Sequence, residues 1–243
     1  MVNEERLQAL SEDWDTLLAI AAHPDDLEYG TASAVARWTS IGKRVVYLLV
    51  TRGEAGIDSM SPTEAGPLRE QEERESAKVV GVDVVEFLDY TDGVVEYGLP
   101  LRRDISRVIR RHRPDVLLTG NFALSWPGGA MFNMADHRWV GLAVLDAARD
   151  AGNRWIFPEL LEEGYEPWSG VGKVLVSASP DASHAVDVTD FMDTGIASLE
   201  KHRVYIDNLG KEFDAETYLT FNLAAVGERL GCDYAVSFKV FEL

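Results

Sequence analysis

Short apolar runs alternate with amphipathic helical patterns through most of this sequence, and this alternation constrains the fold more than any other feature. Residues 16–22 read TLLAIAA and residues 44–51 read RVVYLLVT, which are both typical of buried strands. The predicted strands cover 16–22, 44–51, 84–90, 115–121, 173–179 and 184–190, and the predicted helices cover 27–42, 66–82, 99–114, 137–152 and 191–205. Strands that alternate with helices at this spacing form parallel βαβ units. We therefore expect an α/β fold: a single domain with a Rossmann-like, mostly parallel sheet and helices on both faces.

The unusual polar residues follow the predicted strands. AAHPDD (21–26) follows the first strand, TRGEAG (51–56) the second, DYTDG (89–93) the third and the long segment 120–137 the fourth. Ligands of open parallel sheets bind at the carboxyl ends of the strands, so these four loops predict one shared site. The fourth loop is long and rich in Trp, Pro, Gly, Phe and Met, and long loops at this edge are usually functional.

Composition argues against several classes of protein. The 243 residues include 41 acidic and 23 basic side chains, for a net charge of -18, and such a surface repels nucleic acid. The single cysteine, Cys232, cannot form an intramolecular disulfide, and no apolar stretch is long enough to span a membrane. The N-terminal residues MVNEERLQALSEDWD lack the basic and then apolar pattern of a signal peptide. We expect a cytoplasmic protein without a membrane span.

His23 and Asp26 lie three residues apart at the end of the first predicted strand. Imidazole and carboxylate are common ligands of Zn2+ and of similar divalent ions such as Fe2+ or Co2+. His137 is the best third ligand, because it begins a helix after the fourth strand, at the same edge of the sheet. Asp25 would then lie beside the metal, where a free carboxylate takes a proton from a metal-bound water and later returns it. The alternative is that Asp25 or Asp26 caps a helix that begins near Leu27.

The three remaining histidines are less suited to the site. His112 lies at a predicted helix end, where a cation is ordinary, and His184 starts a late strand, so we expect both to be structural. His202, on the last predicted helix, stays a candidate.

Residues 21–38, AAHPDDLEYGTASAVARW, closely resemble the first signature of the LmbE-like (PIG-L) family of zinc-dependent N-acetylglucosaminyl N-deacetylases. Further segments resemble the family's later blocks in the same order: 50–56, 68–82, 89–96, 113–121 and 135–148. The resemblance spans a core of about residues 14–205 and leaves 206–243 as a C-terminal extension of the same domain. It implies a metal-dependent amide hydrolase that removes an acetyl group from a small N-acetylglucosaminyl-type conjugate through a metal-activated water. Whether the chain forms a homo-oligomer is left open.

The same resemblance implies roles for individual residues. His23, Asp26 and His137 match the zinc ligands of the family, and Asp25 matches its general base and acid.

Three further residues match family positions. Arg69 matches an arginine near the substrate pocket, although a solvated arginine on a charged helix explains it equally well. We expect Asp136 to orient a ligand or a catalytic side chain. Asp92 matches a family loop acid, and a turn-forming aspartate is an equal explanation.

Two positions depart from the family pattern. Met134 stands where many members have a histidine that is thought to help stabilise the tetrahedral oxyanion, and a thioether cannot donate a hydrogen bond. Loss of one such donor costs about 10²–10³ in rate, unless the metal alone suffices or a group such as His202 or Arg69 replaces it. Gly195 stands where members often have a lysine.

Other functions stay open alongside the deacetylase. One is a thiol-conjugate amidase with the same site, and another is a metal-bound sugar-binding protein with weakened catalysis, which Met134 motivates. A nucleotide-binding protein is disfavoured, because no Gly-x-Gly-x-x-Gly follows the first strand. The aromatic segments 122–132 and 155–168 are predicted to offer stacking surface to a substrate scaffold.

Overall fold

The structure, a computed structural model, describes residues 6–209 and 213–243. Its strands are β1 (Gln8–Ala9), β2 (Thr16–Ala21), β3 (Arg44–Leu49), β4 (Val84–Phe87), β5 (Val116–Thr119), β6 (Lys173–Ser177), β7 (His184–Asp187) and β8 (Ala235–Glu242). Within the described residues they form one eight-stranded sheet of order β1-β7-β8-β6-β5-β2-β3-β4. Strand β8 pairs antiparallel with β6 and β7, and the other described pairings are parallel. The prediction of a mostly parallel sheet is confirmed.

Helices cover both faces of this sheet, as predicted. They are α1 (Ala32–Ser40), α2 (Pro62–Val79), α3 (Leu99–His112), α4 (Ala135–Asp150), α5 (Glu159–Glu162), α6 (Met192–Leu199), α7 (Arg203–Asp207) and α8 (Ala215–Leu230). Alternate residues of β2 enter opposite cores, because side chains of a strand point to its two faces in turn. Leu17 and Ala19 pack in a core with residues of α1, α6 and α8, whereas Leu18 and Ile20 pack in a core with residues of α3 and α4. In the described part of the chain, no helix has both the length and the apolarity to cross a membrane.

The segment between β2 and α1 differs from the prediction. Helix α1 begins at Ala32, so the expected helical start at residue 27 was wrong. Residues 24–31 instead form consecutive turns, in which the Glu28 amide donates to the Asp25 carbonyl at 2.9 Å and the Thr31 amide donates to the Leu27 carbonyl at 2.7 Å. Asp25 therefore lies seven residues before α1 and cannot cap it.

The C-terminal segment contributes to the sheet. Strand β8 lies between β6 and β7, and α8 packs against β8 and α6. Residues 215–242 thus supply a strand and a covering helix that the sequence patterns did not predict. The last predicted helix, 191–205, is divided into α6 and α7, and the break at residues 200–202 contains His202.

Candidate metal and catalytic site

The candidate site lies at the edge of the sheet where β2, β3, β4 and β5 end. His23 and Asp26 follow β2, Asp92 follows β4, and His137 lies in the first turn of α4, after β5. These strands are parallel neighbours, so their carboxyl ends meet at one edge, as the sequence predicted.

His23, Asp26 and His137 come together. Asp26 Oδ1 lies 3.0 Å from His137 Nε2, and Asp26 Oδ2 lies 3.5 Å from His23 Nδ1. One ligand atom from each of the three residues lies within 4.8 Å of the other two. The Asp26 carboxylate is oriented by the amides of Ala22 and His23, which donate to Oδ2 at 3.1 and 2.9 Å.

In each histidine, the ring nitrogen that points away from Asp26 contacts another side chain. His23 Nε2 lies 3.0 Å from Asp92 Oδ1 and 3.3 Å from Asp136 Oδ2. His137 Nδ1 lies 3.0 Å from Asn133 Oδ1. Histidines that bind metals commonly have the second nitrogen held by a carboxylate or carbonyl group in this way. The other ring nitrogens, His23 Nδ1 and His137 Nε2, face Asp26.

Asp136 is buried and held by two backbone amides. Gly93 donates to its Oδ2 at 2.8 Å and Val95 donates to its Oδ1 at 3.2 Å. His23, Asp92 and Asp136 are also close enough to form a ligand cluster of their own. However, Asp92 also accepts a backbone hydrogen bond, from the Ala55 amide at 2.8 Å. The two carboxylates are thus engaged in orienting His23 and the loop around it.

The chemistry of the donor set fits a divalent cation. Burial lowers the pKa of His137, but the Asp26 carboxylate outweighs burial and raises it above the ordinary value. Burial raises the pKa of Asp26, but His137 and His23 outweigh burial and hold it well below the ordinary value. His137 Nε2 is nevertheless a buried nitrogen without a hydrogen bond of good geometry. A site that concentrates carboxylates around imidazoles and leaves such a nitrogen is suited to exchange its protons for a metal ion.

Asp25 lies next to this cluster in an unusual backbone conformation. Its φ is 90°, in the left-handed region that costs a non-glycine residue about 1–2 kcal/mol. Its side chain is buried, and Oδ1 lies 3.1 Å from Arg69 Nη2. Burial raises the pKa of Asp25 to about 6, against the lowering effect of Arg69. A carboxylate of this basicity is suited to accept and return a proton near neutral pH.

Arg69 is not a solvated arginine. It is 2% exposed, and it donates to the Pro24 carbonyl at 2.5 Å and to the Gly53 carbonyl at 3.0 Å. Its guanidinium also stacks over the Tyr205 ring, 3.9 Å from the centroid. Gly53 has φ 62° and passes so close to Arg69 that an added Cβ would lie 2.1 Å from Nη1. Arg69 therefore joins α2 to the turn that carries Asp25.

The long fourth loop lies over His137. The Trp126 ring meets the His137 ring edge to face, with 5.7 Å between centroids. Three large apolar side chains of the segment 122–132 are exposed: Leu124, Met131 and Phe132. Met134, 43% exposed, directly precedes α4. It offers a thioether at the position where the family resemblance implies a histidine that donates a hydrogen bond.

His202 is not among the exposed residues near the metal-ligand cluster. It is fully buried, with Nε2 3.6 Å from Glu28 Oε2 and 3.7 Å from Glu73 Oε2. It is therefore not exposed to a substrate and does not replace the missing histidine. Gly195 packs against Ser33 of α1, and an added Cβ would lie 2.0 Å from Ser33 Oγ, so a lysine has no room there.

Sequence reasoning missed Asn133, Tyr205 and Glu73 as neighbours of the site. Asn133 precedes His137 by four residues, a spacing that could have suggested contact across one helical turn. Glu73 follows Arg69 by four residues on α2, which is the same kind of signal, whereas Tyr205 gave none because it reaches the site by long-range packing.

Comparison with known proteins places the chain among deacetylases. A family model described as PIG-L, GlcNAc-PI de-N-acetylase, matches residues 18–148. Diacetylchitobiose deacetylase of Thermococcus kodakarensis is 30% identical over 192 residues, which cover 78% of this chain and 70% of that protein. The 1D-myo-inositol 2-acetamido-2-deoxy-alpha-D-glucopyranoside deacetylase of Kineococcus radiotolerans is 28% identical and matches 68% of this chain and 52% of its own length. The solved structure of N,N'-diacetylchitobiose deacetylase from Pyrococcus horikoshii has a TM-score of 0.84 at 25% identity and covers 95% of this chain and 85% of its own.

Proposed function

The chain belongs to the PIG-L family of de-N-acetylases and is an amide hydrolase of that type, and we propose that it removes the acetyl group from a small N-acetylglucosaminyl conjugate with the help of a divalent ion. The observation that carries this proposal is the position of the buried carboxylate of Asp25 beside the cluster of His23, Asp26 and His137.

The metal ligands in this proposal are His23 Nδ1, an oxygen of Asp26 and His137 Nε2. A divalent ion, with Zn2+ the first choice for such donors, supplies Lewis acidity that polarises an amide carbonyl and lowers the pKa of water. Asp92 and Asp136 hold the His23 ring in orientation, and Asn133 does the same for the His137 ring.

Asp25 is the proton carrier in this proposal. Its Oδ1 faces Arg69, and its carboxylate takes a proton from the attacking water and returns it to the leaving amine. Water adds to the acetyl carbon, the C–N bond breaks, and acetate and the free amine of the sugar are released. Arg69 keeps the Asp25 carboxylate in place, and the Trp126 ring and the exposed apolar residues of its loop offer a surface to the sugar conjugate.

The substrate class rests on the relatives, which are named for acetylated glucosamine in a disaccharide or linked to inositol. The test is a screen of N-acetylglucosamine conjugates that includes a chitobiose-type disaccharide, an inositol conjugate and a thiol conjugate. Free amine and acetate are measured with added Zn2+ and after chelation. Metal-dependent release of equal amounts of both products supports the proposal. Release from none of the conjugates, or release that persists after complete removal of metal, would falsify it.

Met134 favours one second candidate, a sugar-binding protein with weakened catalysis, because no side-chain donor stands at that exposed position. Calorimetry with the same conjugates distinguishes the two. Saturable binding without turnover supports the second candidate, and turnover supports the first.

A further inference from the structure

The turn that carries Asp25 needs an external support. Asp25 has a left-handed φ of 90°, in the middle of the segment that connects β2 to α1. Residues other than glycine disfavour this conformation, and they adopt it stably only where the surrounding structure holds them in it. Among the described residues, the backbone–backbone hydrogen bonds of 24–31 are all local. Helix α2 supplies contacts that hold Asp25 from outside the turn.

Two side chains of α2, four residues apart, hold the turn from one face of the helix. Arg69 donates to the Pro24 carbonyl and forms an ion pair with the Asp25 carboxylate at 3.1 Å. Glu73 Oε2 accepts a hydrogen bond from the Asp25 backbone amide at 3.2 Å. Arg69 thus contacts the side chain of Asp25, and Glu73 contacts its backbone.

Glu73 packs in a cluster of side chains with no exposed surface. His202 Nε2 lies 3.7 Å from Glu73 Oε2 and 3.6 Å from Glu28 Oε2, and all three residues are 0% exposed. Ser76 Oγ donates to Glu28 Oε1 at 2.8 Å and lies 2.7 Å from Ser198 Oγ. Burial lowers the pKa of His202, but Glu28 and Glu73 outweigh burial and raise it to about 9. His202 is therefore a buried cation with Glu28 as a partner, which is the compensation that buried charges require. Burial and the neighbouring Glu28 raise the pKa of Glu73 well above its ordinary value.

We propose that Glu73 is a positioning residue for Asp25: its carboxyl group, packed against His202, holds the Asp25 amide and thereby the direction of the Asp25 carboxylate. This inference rests on the proposed role of Asp25. It gives a function to Glu73 and to the buried cluster that Glu73 forms with His202 and Glu28. A displacement of about 1 Å at a reacting group costs up to about 10²-fold in rate, so a backbone support of this kind affects turnover directly.

The test separates the hydrogen-bond acceptor from the charge. In Glu73→Gln the amide oxygen can still accept from the Asp25 amide, whereas in Glu73→Met no acceptor remains in a side chain of similar length. Glu75→Gln, an exposed residue of the same helix, is the matched control. We expect Glu73→Met to lower kcat about 10- to 100-fold with KM changed less than about threefold, and Glu73→Gln to recover most of that loss. Elemental analysis should find the same metal content in all variants.

A second readout does not depend on activity. NMR measures hydrogen exchange at the Asp25 amide, which should be protected in the wild type and in Glu73→Gln and should exchange faster in Glu73→Met. If the wild type deacetylates nothing, the proposed function fails, and amide exchange still tests the contact. Unchanged kcat in Glu73→Met, equal losses in both Glu73 variants, or a rapidly exchanging Asp25 amide in the folded wild type would overturn the inference. Two bound ions per chain, one of them lost in Glu73→Gln, would also overturn it, because Glu73 would then be a metal ligand. If Glu73→Met fails to fold, the protection of the Asp25 amide in the wild type and in Glu73→Gln decides the matter.

Discussion

Replacement of Asp25 by Asn should abolish turnover and leave the metal-free fold at least as stable as before. Asn has nearly the same shape, tolerates the left-handed φ of 90°, and keeps an oxygen that can accept from Arg69. It cannot accept a proton from water. We therefore expect kcat to fall about 10²- to 10⁴-fold, which is the usual contribution of a general base.

The stability change follows from the pKa of Asp25. Burial raises it from 3.8 to about 6, so the folded protein binds this proton more tightly than the unfolded chain does. At neutral pH the ionised carboxylate therefore destabilises the fold. The stability that protonated Asp25 contributes is lost as pH rises from 3.8 through about 6. One pKa unit corresponds to about 1.4 kcal/mol, so the neutral Asn should raise the free energy of unfolding by about 1–3 kcal/mol at pH 7.

The assay combines release of acetate, elemental analysis of bound metal, and urea unfolding in the presence of a chelator. Asp58→Asn, an exposed aspartate of the loop after β3, is the matched control and should change none of the three. Turnover of Asp25→Asn within about tenfold of the wild type would show that Asp25 is not the base. A loss of stability above about 1 kcal/mol would show that the charge pair with Arg69 outweighs the cost of burying the carboxylate.

Three further predictions address the metal ligands, the buried cation and the packing of the helices. His137→Ala should lose bound metal in equilibrium dialysis, whereas His184→Ala should retain it; equal metal content in both would exclude His137 as a ligand. His202→Asn should destabilise the protein most below pH 6.5, and its difference in unfolding free energy from the wild type should shrink as pH rises through about 9, because the raised pKa contributes stability only while the ring is protonated. A difference independent of pH would mean that His202 is neutral in the fold. Gly195→Ala should cost about 1–3 kcal/mol of stability by calorimetry, because its Cβ would lie 2.0 Å from Ser33 Oγ, and adding Ser33→Ala should recover part of that cost; no loss would mean that α1 and α6 separate easily.

The local patterns of the sequence were sufficient for the general architecture. Strands β2, β3 and β5 follow apolar runs that are buried on both faces, and each appears close to the predicted range. The grouping of unusual residues at one sheet edge followed from the parallel order of these strands. The start of α1 was predicted wrongly, because the residues after Asp26 have a helical composition and only the three-dimensional turn reveals the left-handed φ at Asp25.

The sequence by itself determined the alternating sheet and helices, the proximity of His23 to Asp26, and the resemblance that directed attention to Asp25 and His137. These depend on residues close together in the chain, or on a pattern repeated along it. Only the tertiary structure decided which groups support them: Asp92 and Asp136 behind His23, Arg69 and Glu73 on the turn, and the insertion of β8 between β6 and β7. The physical reason is that burial and charge pairing depend on packing between distant segments. The same charged residues on α2 would be solvated if the turn before α1 did not pack against that helix.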